Sequence, residues 1–410
     1  MQMKRVKIAI IGYGQRGKTY ADYALKNPEE FEVTAITEIN ESRRKTAQEN
    51  HDCPVFGDYR EFLNANIRAD IVAIATQDRD HREHAIACME RGYDLLLEKP
   101  VANTEEDCRA IYETSARLKR KVIVCHVLRY TPFYHKIKEI ANSGELGEIV
   151  TVNMSENVGY YHQAHSFVRG PWRNKEESCP MILSKCCHDL DILRWIVGKK
   201  CENVSSFGEL NFYRKDHAPS GSAERCTNCK VQNCIYRAKD LYAKHTWMRG
   251  YFCGDNENDA LAEEALIRSP YDRCVFRCDN NVVDHQVSIF RFEGNVTATH
   301  TMTAFSKEIY RDIKIHGTKA ELYGVMEKNL LELRVFGGEN LVYDFNSMAV
   351  SGNHGGGDKA LMHSVYLERN GAAVFGMTYL DVSIDSHLMA FGAERSRLTR
   401  QAVELKSRAE

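Results

Sequence analysis

The chain has no long apolar run: across 410 residues no stretch approaches the ~20 apolar residues that a membrane-spanning helix needs. Its N-terminus enters a strand almost at once and offers no apolar signal core. An excess of charge of either sign is also missing. Lys+Arg 55 against Asp+Glu 57 leaves a net charge of -2, so no global field invites nucleic acid or an anionic membrane. Internal repeats and low-complexity tracts are absent, as are an HExxH string, paired-carboxylate metal motifs and the tight cysteine repeats of an iron-sulfur protein. Together these absences predict a soluble, cytoplasmic protein whose partner is a small molecule, with no nucleic acid and no membrane involved. Fourteen cysteines in that compartment are expected to stay reduced, apart from any that bind metal.

What the chain does have is a glycine turn in a meaningful place. Gly12-Tyr13-Gly14-Gln15-Arg16-Gly17 closes the apolar strand Val6 to Ile11 and opens a helix over Lys18 to Leu25. In that context Gly12 takes the tight turn, Gly14 lets backbone approach a pyrophosphate, and Gly17 lets helix pack on strand, with the helix N-terminus facing the phosphates. A second strand, Phe31 to Thr37, ends at Glu38, about twenty residues past the last glycine, as a dinucleotide fingerprint requires. A carboxylate there accepts both ribose hydroxyls and repels a 2′-phosphate, so NAD is favoured over NADP.

Strand-helix alternation continues: helix Glu41 to Asn50, strand Val55-Phe56, helix Tyr59 to Ala65, strand Ile71 to Ala75, helix His81 to Arg91, strand Leu95 to Leu97, helix Thr104 to Leu118 and strand Val122 to Val124. Such alternation gives a parallel sheet, and the first domain is expected to span residues 1–127. Longer strands follow, at Ile149 to Asn157, Asp284 to Glu293, Val296 to Phe305 and Ile309 to Gly317. Their hairpin-like succession predicts an α+β domain over residues 128–410 with an open mixed or antiparallel sheet. A polar, cysteine-bearing stretch, residues 214–278, reads as an insertion over one edge.

Glu98-Lys99-Pro100 stands just past the carboxyl end of the fifth strand, where ligands bind in open α/β sheets. A lysine there can donate to a substrate hydroxyl oxygen, and partial burial is expected to lower its pKa toward the range useful for proton transfer. With the GYGQRG turn, Thr76 and His81 after the fourth strand, and a later helix carrying His188-Asp189-Leu190-Asp191, the chain closely resembles the glucose-fructose oxidoreductase/inositol dehydrogenase (Gfo/Idh/MocA) family over nearly its whole length. The resemblance implies a Rossmann domain followed by an open-faced α/β domain, a nicotinamide cofactor, and chemistry on hydroxyls of sugars, cyclitols or their derivatives. It also implies a homo-oligomer packed through the second sheet.

The family pattern has an aspartate four residues before the helix histidine, where this chain has Ser184. Lys185, three before His188, is expected on the same helical face, which makes Lys99, His188 and Lys185 the catalytic candidates. Asp191, one turn on, is expected to orient His188 or to form a salt bridge. Two patches point to a sugar-sized ligand: His165 to Arg173, with His165, Trp172 and Arg173 as its hydrogen-bonding and stacking groups, and the loop Gly352 to Asp358, with His354 exposed and Asp358 capping the next helix. That loop is similar to one in the NAD-dependent α-N-acetylgalactosaminidases of the same family. Tyr130, Tyr161 and His285 are weaker candidates, expected in core or interface. Cys226, Cys229 and Cys234, completed by a later cysteine such as Cys253, have thiolate spacing suited to a structural zinc; packed thiols explain them equally well. Three activities fit: NAD-dependent oxidation of a sugar or glycoside secondary hydroxyl at C3, redox-neutral glycoside cleavage that retains NAD, or a non-catalytic NAD/sugar sensor.

Overall fold

The computed structural model describes residues 3–254, 258–348 and 353–405. Strands β1 (Val6–Ile11), β2 (Phe31–Thr37), β3 (Val55–Phe56), β4 (Ile71–Ile74), β5 (Leu95–Leu97) and β6 (Val122–Val124) form one sheet in the order β3-β2-β1-β4-β5-β6. All five pairings are parallel. The whole of β4 is buried, which follows from helices covering both faces of a parallel sheet. Local signals set the helix ends. The Thr104 side chain accepts from the Asp107 amide to start Glu105–Leu118, and three acidic residues fill that first turn, where the helix dipole favours them.

The second sheet is built from β7 (Ile149–Asn157), β8 (Cys201–Glu209), β9 (His285–Phe292), β10 (Thr297–Thr303), β11 (Tyr310–Gly317), β12 (Ala320–Val325), β13 (Leu330–Val335), β14 (Asn340–Asp344) and β15 (Val403–Glu404), in the order β14-β13-β12-β11-β7-β10-β9-β8-β15. The sheet is mixed. The hairpin-like succession holds for β9 and β10 but fails between β10 and β11, because β7 inserts between them, parallel to β10 and antiparallel to β11. Nothing in the strands' composition signals that intrusion, since β7 alternates as its neighbours do. One face packs on helices, with Phe290 and Phe292 fully buried; the other leaves Phe207, Val287 and Ile289 exposed.

The two late helices, Gly357–Arg369 and Leu380–Thr399, return the chain to the first sheet. Leu361, Met362 and Val365 share a core with Ile8, Ile10 and Tyr20, while Leu380, Ile384 and Leu388 pack with Val72, Ile74 and Leu97. Tyr236, Tyr242, Tyr271 and Phe276 of residues 214–278 form a small core that they share with Tyr161, Val168 and Tyr213. This insertion does not merely decorate an edge. Its Tyr251 hydroxyl donates to Gln15 Oε1 at 3.0 Å, so it reaches across to the glycine turn.

Candidate active site

A cleft runs from the glycine turn to the insertion, lined by loops that follow the strands of the first sheet, by the helical segments around His162 and His188, and by the insertion. At its nucleotide end, Gly12 has φ +94°, and a Cβ there would meet the Ala75 carbonyl oxygen at 2.6 Å. A Cβ at Gly17 would lie 1.8 Å from the Gly12 carbonyl oxygen, whereas one at Gly14 would meet nothing nearer than Arg43 Nη1 at 3.8 Å. The open backbone is therefore at Gly14, where a pyrophosphate must come close. Glu38 is buried, and its carboxylate accepts from the Tyr13 and Asn40 amides, both at 2.8 Å. That grip fixes the carboxylate beside the turn while leaving lone pairs for a ribose diol. These features fit a bound dinucleotide.

Several residues expected to touch cofactor also hold the turn together. Arg16 pairs through Nε with Glu98 at 2.6 Å and through Nη2 with Asp358 at 2.7 Å. Glu98 also accepts from the Tyr20 hydroxyl; burial pushes its pKa up, but Arg16 and that hydrogen bond outweigh burial and hold it below the usual range. Asp358 is not the N-cap of its helix, Gly357–Arg369, where Gly356 holds that place without a side-chain bond; Arg16 draws the Asp358 carboxylate into an ion pair. Tyr13 bonds His51 Nε2 at 2.9 Å through its hydroxyl. Thr76 lines the cleft, with Oγ1 3.1 Å from His84 Nδ1. His81 is fully buried, its Nδ1 2.8 Å from the Pro100 carbonyl oxygen, so it supports the turn after Lys99 rather than facing the cleft. On the other side, Val101 donates its amide to His387 Nε2 at 2.9 Å. His387 comes from the last helix, Leu380–Thr399, and sequence reasoning missed it because nothing local ties it to Lys99.

The peptide bond between Lys99 and Pro100 is cis. Lys99 Nζ donates to the Ser184 carbonyl at 3.1 Å, which brings the lysine against the segment before His188. The expected drop in its pKa is reversed. Burial pulls it down, but Cys187, Glu98 and Asp78 together outweigh burial, and Lys99 stays an ammonium. Lys185 and His188 do not share a helical face: one short helix, Met181–Ser184, ends before Lys185, and the next begins at Cys187. The break turns Lys185 into the cleft beside His188, where its Nζ stands 3.2 Å from the buried Glu156. His162 lines the same floor, and burial, Lys185 and His165 push its pKa well down. Its signal was the helix that becomes a π-turn at Gln163–Arg169, a distortion that often marks functional sites but that sequence periodicity does not reveal.

Of the substrate candidates, Trp172 and Arg173 line the cleft. The Trp172 indole donates to Asp78 at 3.2 Å, and Arg173 grips Asp279 with two bonds of 2.9 Å. His165 does not reach the cleft wall: it is buried, bonded to Tyr242 and stacked on Tyr271 at 4.7 Å, so burial drives its pKa down to about 3. Asp191 is buried behind His188, accepting from Arg129 Nε and Nη2, both at 2.6 Å; the salt bridge, not His188, claims it. The side chain of His354 lies outside the described residues. Tyr130 bonds Thr378, Tyr161 stacks on His245, and His285 pairs with Asp284.

The cysteine cluster departs from expectation. Cys226, Cys229, Cys234 and Cys274 line one small pocket, whereas Cys253 stands apart, its Sγ donating to the Arg249 carbonyl. Among the described residues the one group with ligand atoms within 4.8 Å of one another is Cys186, Asp189 and His300. Arg311 already occupies Asp189 there, at 2.8 Å. The placement does not support zinc at Cys226, Cys229, Cys234 and Cys253.

A parallel nucleotide-binding sheet joined to an open second sheet, with a lysine delivered between them, is the plan of a two-domain nicotinamide oxidoreductase. Residues 6–126 match the oxidoreductase family with an NAD-binding Rossmann fold, and residues 134–323 match the GFO/IDH/MocA C-terminal domain; the chain belongs to the Gfo/Idh/MocA family of oxidoreductases. YteT of Bacillus subtilis (strain 168), named as an oxidoreductase, is 24% identical over 369 residues, covering 83% of each chain. Inositol 2-dehydrogenase 2 of Saccharopolyspora erythraea is 27% identical over 198 residues, 48% of this chain and 55% of that protein. A levoglucosan dehydrogenase solved with NADH and L-sorbose has the same fold, with a TM-score of 0.73 at 17% identity over 99% of this chain and 100% of that one. Among the described residues no helix is long and apolar enough to cross a membrane.

Proposed function

We propose that this chain is an NAD-dependent dehydrogenase that oxidises a secondary hydroxyl of a sugar or glycoside, with C3 the carbon assigned. The observation that carries the reading is the floor of the cleft, where Lys99 is tied to the Ser184 carbonyl and Lys185, His188 and His162 line the same surface. NAD, when bound, supplies the hydride acceptor. Gly14 and its neighbours would hold the pyrophosphate and Glu38 the adenosine ribose. The Lys99 ammonium polarises the reacting oxygen and stabilises the alkoxide, His188 takes the hydroxyl proton, and Lys185 fills the space that the family aspartate leaves at Ser184. Relatives named for inositol and levoglucosan oxidation support a polyhydroxylated substrate. Self-association through the exposed face of the second sheet is part of the same proposal.

Incubating the protein with NAD and a panel of sugars and glycosides in deuterated water tests the reading. NADH with an equivalent of 3-keto product is expected. Cleaved sugar carrying deuterium at C2, without net NADH, would instead establish the redox-neutral glycosidase, because a C3 ketone acidifies the C2 proton. Binding with neither outcome would establish a sensor, and turnover of a different alcohol class alone would end the sugar assignment.

A further inference from the structure

Lys99, Arg169, Arg173, Lys185, Arg249 and Arg273 line the substrate half of the cleft, against the carboxylates of Asp78, Glu98 and Asp259. Two features recur in it: cations that share a carboxylate, and cations that have none. Arg173 and Arg273 both line the cleft and both bind Asp279, Arg173 at 2.9 Å and Arg273 through Nη1 at 2.6 Å. Their joint grip, with the Arg173 hydrogen bonds the largest contribution, holds the Asp279 carboxyl far below the usual range. Arg173 also approaches the exposed Glu177 at 3.4 Å. Across the floor, Lys185 and Arg311 share Glu156, at 3.2 and 2.6 Å. Arg311 also pairs with Asp189 at 2.8 Å and approaches Glu327 at 3.8 Å, and burial pushes the Asp189 carboxyl up. Arg249 has Asp259, at 2.5 Å.

Of the cations lining this half of the cleft, two have no carboxylate within ion-pair distance among the described residues. One is Lys99, on which Glu98 and Asp78 act from farther off. The other is Arg169, which is 1% exposed, donates to the Arg273 and Tyr236 carbonyls at 2.7 Å and leaves its buried Nη1 without a hydrogen-bond partner. A buried guanidinium without a counter-charge is costly. It is tolerable where an anionic ligand completes the site. Arg273 has one nitrogen engaged on Asp279 and its side chain 27% exposed, and it lines the same cleft as Trp172.

We propose that the sugar oxidised here carries an anionic substituent, a carboxylate or a phosphate, received by Arg173 and Arg273 in the field of Arg169, with the ring over Trp172 and the reacting hydroxyl at Lys99. This rests on the sugar dehydrogenase reading and specifies its substrate class. Arg173 and Arg273 are the specificity-determining contacts, since a guanidinium fork matches either oxyanion.

The test is initial-rate NADH formation with matched sets: gluco-, galacto- and manno-configured methyl glycosides, their uronates and their 6-phosphates, at low salt and at about 1 M KCl, where the Debye length is ~3 Å. In at least one configuration an anionic member should exceed its neutral partner by about tenfold or more in kcat/KM, and the gap should narrow in high salt. Whether the uronate or the phosphate leads decides the source of the charge. Arg273→Gln should raise KM for the anionic sugar about tenfold more than it raises KM for the neutral partner; NADH binding confirms that the variant is folded, and the salt dependence of the parent reads the same charge without any variant. Neutral members turning over as well as or better than their anionic partners would overturn the proposal while the dehydrogenase reading stands. No NADH from any sugar, with turnover of a simple alcohol, would overturn both.

Discussion

The nucleotide end and the substrate end of the cleft are built in opposite ways. The first is laid out by one contiguous segment, Gly12 to Glu38, in which a glycine turn, a helix and the end of the next strand meet through bonds such as Tyr13 N–H to Glu38, with Glu98 and Asp358 bracing it from outside through Arg16. The second is assembled from Lys99 on the first sheet, a π-turn at Gln163–Arg169, the break between Ser184 and Cys187, and the insertion's Tyr251 and Arg273. Local assembly makes a site for a common cofactor. Remote assembly lets each contributing segment vary separately, although the insertion also touches the nucleotide turn through Tyr251 and Gln15.

Breaking the substrate end without touching the other gives the largest expected effect. Lys99→Met should retain NADH binding, read by fluorescence titration, while turnover falls by a factor on the order of 10²–10⁴. His188→Ala should fall within the same range. Near-parent kcat in Lys99→Met would reduce Lys99 to a structural role.

A pH series separates the two ends next. Burial lowers the pKa of His165 to about 3, of His300 to about 4 and of His387 to about 3, and all three lie outside the nucleotide turn. Each folded-state value is below the unfolded value of about 6.5, so the unfolded chain binds more protons in this window and stability falls as pH drops below it. Each group contributes about 1.4 kcal/mol per pH unit below its unfolded value. Melting temperatures between about pH 7.5 and about pH 4.5 should decline steeply, and His165→Phe should flatten the slope. A parent profile that is flat over this range would contradict the buried neutral histidines.

Gly17→Ala strikes the other end. Its Cβ would fall 1.8 Å from the Gly12 carbonyl oxygen, and backbone has no rotamer with which to move aside. A loss of about 1–3 kcal/mol in chemical denaturation is expected, together with weakened NADH binding. Gly14→Ala, facing open space, should spare stability and weaken binding alone. Equal melting and equal NADH affinity for Gly17→Ala and the parent would show that the turn is not packed as described.

Glu38→Ala gives the smallest shift, a several-fold narrowing of the preference for NAD over NADP. Arg43 lines the cleft close by and would then lie near a 2′-phosphate. Comparable parent affinities for the two cofactors, measured by titration, would remove Glu38 from the ribose site.

The sequence on its own determined the six parallel strands, the glycine turn and the positions of Glu38 and Lys99. Each depends on a window of a few residues: an apolar run, a glycine that alone tolerates its backbone angle or its close neighbour, a polar group at a strand end. It did not determine where β7 pairs, because alternating strands are interchangeable as far as period is concerned. Nor did it determine the partners of its own charges. Asp358 looks like a helix cap until Arg16 lies beside it, Asp191 like a support for His188 until Arg129 takes both its oxygens, and Lys99 like a candidate for a lowered pKa until its neighbours are counted. Tertiary structure decided these. Burial and Coulomb interactions depend on distances through space between segments hundreds of residues apart in the chain, and His387, holding the backbone just past Lys99 from the last helix, is where that difference is plainest.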